Sequence, residues 1–209
     1  MFENVITLLD WLGIIVFSLT GALVASRNQM DLVGFVLLGT VTGIGGGTLR
    51  DLLLDIHPIF WIEQPAYVLV CAAVSMLGFF TAHLVQSRYR LILWLDAAGL
   101  SLFAATGAER AVGAGVHPVI AVVMGMITAC FGGIIRDTLG QERSIIFSYE
   151  IYVTAALVAA TSFVSVNALG VGREVAVSTA LLLGFALRGG AIRFGWSLPR
   201  YRPQPPRSG

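Results

Sequence analysis

Apolar residues gather along the chain in seven long segments, near residues 5–25, 32–54, 65–86, 91–109, 117–139, 150–168 and 174–192, each bounded by charges, prolines or polar clusters. Crossing about 30 Å of hydrocarbon takes about 20 helical residues. The pattern therefore predicts seven membrane-spanning helices joined by short loops. The final stretch, "RFGWSLPRYRPQPPRSG", is rich in proline and arginine and cannot bury apolar surface. It is expected to trail without structure after Leu198.

The pattern repeats. "GIGGGTLRD" (Gly43 to Asp51) and "ACFGGIIRD" (Ala129 to Asp137) end alike, and Arg50 and Arg136 lie 86 residues apart. The same shift carries Asp10 onto Asp96, Phe17 onto Phe103, Thr20 onto Thr106, Gly39 onto Gly125 and Thr42 onto Thr128. One residue of insertion later, Glu63 falls on Glu150 and Ser75 on Ser162. A unit of three spans that repeats directly enters the membrane in the opposite sense the second time, so the halves form an inverted repeat. The expected fold is all-α and integral to the membrane: residues 1–88 and 89–170 form two inverted three-helix repeats, 171–197 a seventh helix, and 198–209 a cytoplasmic tail.

Composition agrees: 56% of the 209 residues are hydrophobic and 12% are charged, with a mean hydropathy of +0.84. A net charge of +1 and the lack of any lysine give no field or grip for nucleic acid. Arginines accumulate on the cytoplasmic side of short loops. The tail arginines, Arg27, Arg88, Arg90 and Arg143 then lie inside, Arg110 and Arg173 outside, and the N-terminus is external. His57, His83 and His117 lack ligand spacing, so no metal or cofactor is expected. Cys71 and Cys130 fall in apolar runs, where thiols behave as small hydrophobes. No nucleophile, base and orienting group occur at catalytic spacing, and the chain does not read as an enzyme.

The intramembrane charges and glycines carry the candidate chemistry. Gly45, Gly46 and Gly47, with Thr48 beside them, point around a helix rather than along one face, as Gly132 and Gly133 do in the second half. They favour a kink or unwound turn facing a hydrated path, since freed backbone groups in lipid need protein or water. Close helix packing is the alternative for these small residues. Buried arginine is costly unless paired or wet. Similar depths predict that Asp10 pairs with Arg50 and Asp96 with Arg136, with Asp51 and Asp137 as caps facing the loops. These six charges either lock helices together or line a path, and the two roles can coexist.

Seven spans, an inverted repeat and the paired glycine motifs resemble the prokaryotic branch of the TRIC channels, the trimeric intracellular cation channels, over nearly the whole chain. The resemblance implies a homotrimer in the inner membrane, in contact with lipid and with potassium or sodium ions. It also implies a potassium-permeable pore in each protomer, lined by kinked second and fifth helices at Gly45, Gly46, Gly47, Gly132 and Gly133. Phe131 stands where the second motif would have its first glycine. Bacterial sequences of this pattern are also labelled glycine transporters, so alternating access for a small solute is the second reading.

Overall fold

The computed structural model describes residues 2–84, 87–141 and 151–199. Long helices are α1 (Phe2–Arg27), α2 (Leu32–Leu53), α4 (Ala66–Thr81, extended by a 3₁₀ turn), α5 (Arg88–Gly113), α6 (Pro118–Leu139), α7 (Val153–Ala168) and α8 (Arg173–Phe194). Six are long and apolar enough to span a membrane, and α7 is a shorter apolar helix. A four-residue helix, α3 (Phe60–Glu63), which the hydropathy pattern missed, sits between α2 and α4. Arg143, Glu150 and the tail beyond Pro199 lie outside the described residues.

Local signals set the ends. Asp31 caps α2 by accepting a hydrogen bond from the Gly34 amide at 2.8 Å. Pro118 opens α6 just after His117, where a missing N–H costs nothing. Gly195 closes α8 in the left-handed conformation that glycine adopts freely.

The repeat governs the packing. Helices α1, α2 and α4 pack against one another as α5, α6 and α7 do, the halves meet through α1 against α5 and α2 against α6, and α8 lies on α5 and α7. Phe17 and its repeat-mate Phe103 stack between the halves with ring centroids 5.1 Å apart. Large apolar side chains such as Val33, Leu69 and Leu182 face outward, as lipid-facing residues must.

Of the expected kink or unwound turn, the unwound turn is not found. Helical structure runs unbroken through Gly45–Gly47 in α2 and Gly132–Gly133 in α6. Two of these glycines bring backbones together instead. A methyl added at Gly46 would strike the Thr128 carbonyl, and one at Gly132 would strike the Thr42 carbonyl. Packing of small residues explains them, as in other closely crossing membrane helices.

Candidate functional site

Two charge clusters lie at repeat-related positions. The first is at the face where α1 begins and α2 ends, the second at the face where α5 begins and α6 ends.

The second cluster is closed. Arg136, in the last turn of α6, donates through Nη1 to Asp96 Oδ1 at 2.7 Å and to Thr20 Oγ1 at 3.1 Å, and through Nε to Asp137 Oδ1 at 2.9 Å. Arg136 and Asp96 are wholly buried. The predicted Asp96–Arg136 pair is present, and Thr20 ties it to α1. A methyl on Gly133 would press on the Tyr152 hydroxyl, so the glycine admits a ring beside the pair. Over that ring lies Arg188 of α8, fully buried, with Cζ 5.3 Å from the ring centroid. An arginine inside the predicted 174–192 span is a signal visible in the sequence.

The first cluster is built differently, and the predicted Asp10–Arg50 pair is corrected. Asp10 accepts both Nε and Nη2 of Arg110, the former at 3.1 Å. Arg50 folds back on its neighbour, donating to Asp51 Oδ1 from Nε at 2.9 Å and from Nη2 at 2.7 Å. Asp51 also accepts the Phe60 amide at 3.1 Å and so caps α3, close to its predicted role. The hydropathy pattern ends this span at 109 and leaves Arg110 in an external loop; α5 instead runs to Gly113, which places Arg110 in the last turn beside Asp10. The signal was available: one repeat earlier stands Val24, so Arg110 has no mate.

The consequence is broken symmetry. Arg136 keeps its neighbour Asp137 and also reaches Asp96 and Thr20. Arg50 keeps Asp51, but between it and Asp10 lies a cavity of about 10 Å³, lined also by Ile14, Gly43, Gly47 and Thr128. That is about the volume that admits one water. Thr106, repeat-mate of Thr20, is buried with a hydroxyl that has no hydrogen-bond partner among the described residues. The mirror of the closed contact is therefore unmade at the first face.

The glycine triplet is divided among three surroundings. Gly47 lines the cavity, Gly46 lies on the α6 backbone, and Gly45 faces an apolar groove with Phe131 and Ile135. Thr48 also faces that groove, and its hydroxyl accepts Trp61 Nε1 at 2.9 Å while donating to the Ile44 carbonyl at 2.7 Å. Between the two clusters, Thr42 and Thr128 donate to the carbonyls four residues back, at 2.6 and 2.7 Å. The site thus offers carboxylates, guanidiniums and hydroxyls where the two halves meet.

The family model described as Glycine transporter matches residues 7–83 and 93–168, two stretches that start 86 residues apart, as the internal repeat does. The UPF0126 inner membrane protein YadS of Escherichia coli strain K12 is 39% identical over 201 residues, 92% of this chain and 94% of that protein. A UPF0126 membrane protein of Vibrio cholerae is 36% identical over 205 residues, 95% of this chain and 83% of the relative. Among solved structures, the TRIC trimeric intracellular cation channel orthologue from Rhodobacter sphaeroides is 56% identical, with a TM-score of 0.91 over 92% of this chain and all (100%) of that one. A prokaryotic TRIC channel crystallised in 0.5 M KCl is 31% identical, with a TM-score of 0.87 over 95% of this chain and 100% of that one.

Proposed function

The chain belongs to the membrane-protein family whose model is described as Glycine transporter and shares the fold of the solved TRIC channels, and from that premise we propose that it conducts monovalent cations, potassium among them, through a path in each protomer. The path runs between the halves 1–88 and 89–170. It starts at the cavity beside Asp10 and Arg50, passes Gly43, Gly47 and Thr128, and ends at Asp96 and Arg136. The cavity is the observation that carries this reading, because it places carboxylate and threonine oxygens where both halves meet. Asp10 and Asp51 balance Arg110 and Arg50, so the arginines do not by themselves repel a cation. In this conformation the path is shut at the second face by the Arg136–Asp96–Thr20 contact.

Three copies assemble in the inner membrane, with the N-terminus outside and the C-terminus cytoplasmic. The apolar groove between α2 and α6, where Gly45, Thr48 and Phe131 lie, supports self-association. The broken symmetry favours a second reading, alternating access for a small solute, since one face is open to a cavity while its mirror is closed.

The test is potassium efflux from liposomes holding purified protein, with assembly checked by size exclusion. Gly47→Val narrows the cavity against the Phe60 ring and should cut flux at least tenfold while the oligomer survives. Wild-type flux from an assembled variant would place the path elsewhere. Saturable solute exchange without single-channel steps would select the transporter.

A further inference from the structure

At the face where α5 begins and α8 ends, a second cavity of about 530 Å³ opens between these helices. Arg90 and Arg193 line it, with Tyr89, Trp94, Leu93 and Ile192. Among the described residues, neither arginine has a hydrogen-bond or ion-pair partner and no carboxylate lines the cavity. The N-cap of α5, Ser87, also lines it and makes no side-chain capping bond. First-turn amides and the positive end of the helix dipole therefore face the same space. Arg27 adds a further positive charge nearby, its Cζ 5.1 Å from the Tyr89 ring centroid.

The lining is apolar where it meets the bilayer. Trp94 is held between Gly189, which a methyl would push against it, and Phe185, whose ring centroid is 6.1 Å away. Leu93 is buried behind it. Depth fits this division. The 26 residues of α5 span about 39 Å at 1.5 Å per residue, against about 30 Å of hydrocarbon, so its first turn emerges among the headgroups. A ligand here meets two guanidiniums at its head and an indole and two aliphatic side chains below.

We propose that this cavity binds the phosphate of an anionic glycerophospholipid in the adjoining leaflet, with Arg90 and Arg193 holding the headgroup and Trp94, Leu93 and Ile192 contacting the upper acyl chain. Guanidinium forks suit phosphate oxygens, and a basic pocket between transmembrane helices is a recognised headgroup site. A soluble phosphate would gain nothing from the apolar wall. On the topology proposed above, the leaflet is the cytoplasmic one; the site itself does not depend on the transport reading.

The experiment uses the full-length protein in nanodiscs and reads tryptophan quenching by phosphatidylglycerol or phosphatidylcholine carrying brominated acyl chains. A Trp94→Phe variant isolates the contribution of Trp94. Brominated phosphatidylglycerol should quench Trp94 well beyond equal phosphatidylcholine. Arg90→Gln with Arg193→Gln should raise the half-saturating phosphatidylglycerol fraction about 30-fold, from roughly fivefold per arginine at an anionic surface. Arg90→Lys with Arg193→Lys keeps the charge and should stay within about threefold of wild type, which separates lost binding from lost fold. Equal quenching by the two lipids, or an unchanged preference in the folded glutamine variant, overturns the site. Relief of quenching by millimolar glycerol phosphate assigns it to a soluble anion and overturns the lipid.

Discussion

Asp96 and Arg136 offer a quantitative test of the broken symmetry. Both are fully buried and joined at 2.7 Å. Asp96→Ala leaves Arg136 with Asp137, so the remaining charge stays compensated, and the loss should be about 3 kcal/mol, the low end for breaking a buried pair. Arg136→Ala strands the buried Asp96 and removes a partner of Asp137, and should cost about 5 kcal/mol. A double-mutant cycle should return a coupling of about 2 kcal/mol. The mirrored cycle, Asp10→Ala with Arg50→Ala, should return a coupling clearly below that, under about 1 kcal/mol, because those side chains share a small cavity without a direct hydrogen bond. Asp10 with Arg110, whose side chain is 32% exposed, should couple by about 1 kcal/mol or less after solvent screening. Unfolding by sodium dodecyl sulfate in mixed micelles gives each free energy, with monomer and any oligomer followed separately. Equal couplings for Asp10–Arg50 and Asp96–Arg136 would refute the claim that the clusters differ.

Thr20→Val removes an acceptor from Arg136 and should destabilise by about 1–3 kcal/mol, whereas Thr106→Val removes a hydroxyl that has no partner among the described residues and should be neutral or stabilising in the same assay. Gly46→Ala and Gly132→Ala should each cost about 1–3 kcal/mol because each methyl meets backbone, while Gly45→Ala, facing only the tip of Ile135, should stay under about 0.5 kcal/mol. A periplasm-only reporter fused after Arg207 should be silent if the C-terminus is cytoplasmic; an active reporter would reverse the proposed topology.

Most of the architecture was legible because lipid imposes one rule on every span: twenty or so apolar residues, then a polar break. The ends of α2, α6 and α8 fall within about two residues of the hydropathy pattern. The repeat exposed the charged clusters because aspartate and arginine are rare enough in spans for their register to be visible. Pairing was harder. Depth along two helices does not say which of two arginines points at a carboxylate, and Arg50 was captured by its own neighbour, a contact that needs no tertiary information. The glycines were ambiguous for a related reason: a triplet can relieve the backbone or let another backbone approach, and the position of α6 shows the second at Gly46 and Gly132. Trp61 on Thr48 and Tyr152 beside Gly133 depended on loops whose course hydropathy does not encode.

The reciprocal seats of Gly46 on Thr128 and Gly132 on Thr42 have a consequence for descent. Moving each residue of the first contact by one repeat length produces the second, so the α2–α6 seam is isologous, the kind of contact that closes a two-fold dimer. A half-length chain inserted in both senses would already carry both sides of it. Fusion of two such copies would then create no new interface. It would release each mirrored pair to drift on its own, and Arg110, opposite Val24 in the other copy, records that freedom having been used.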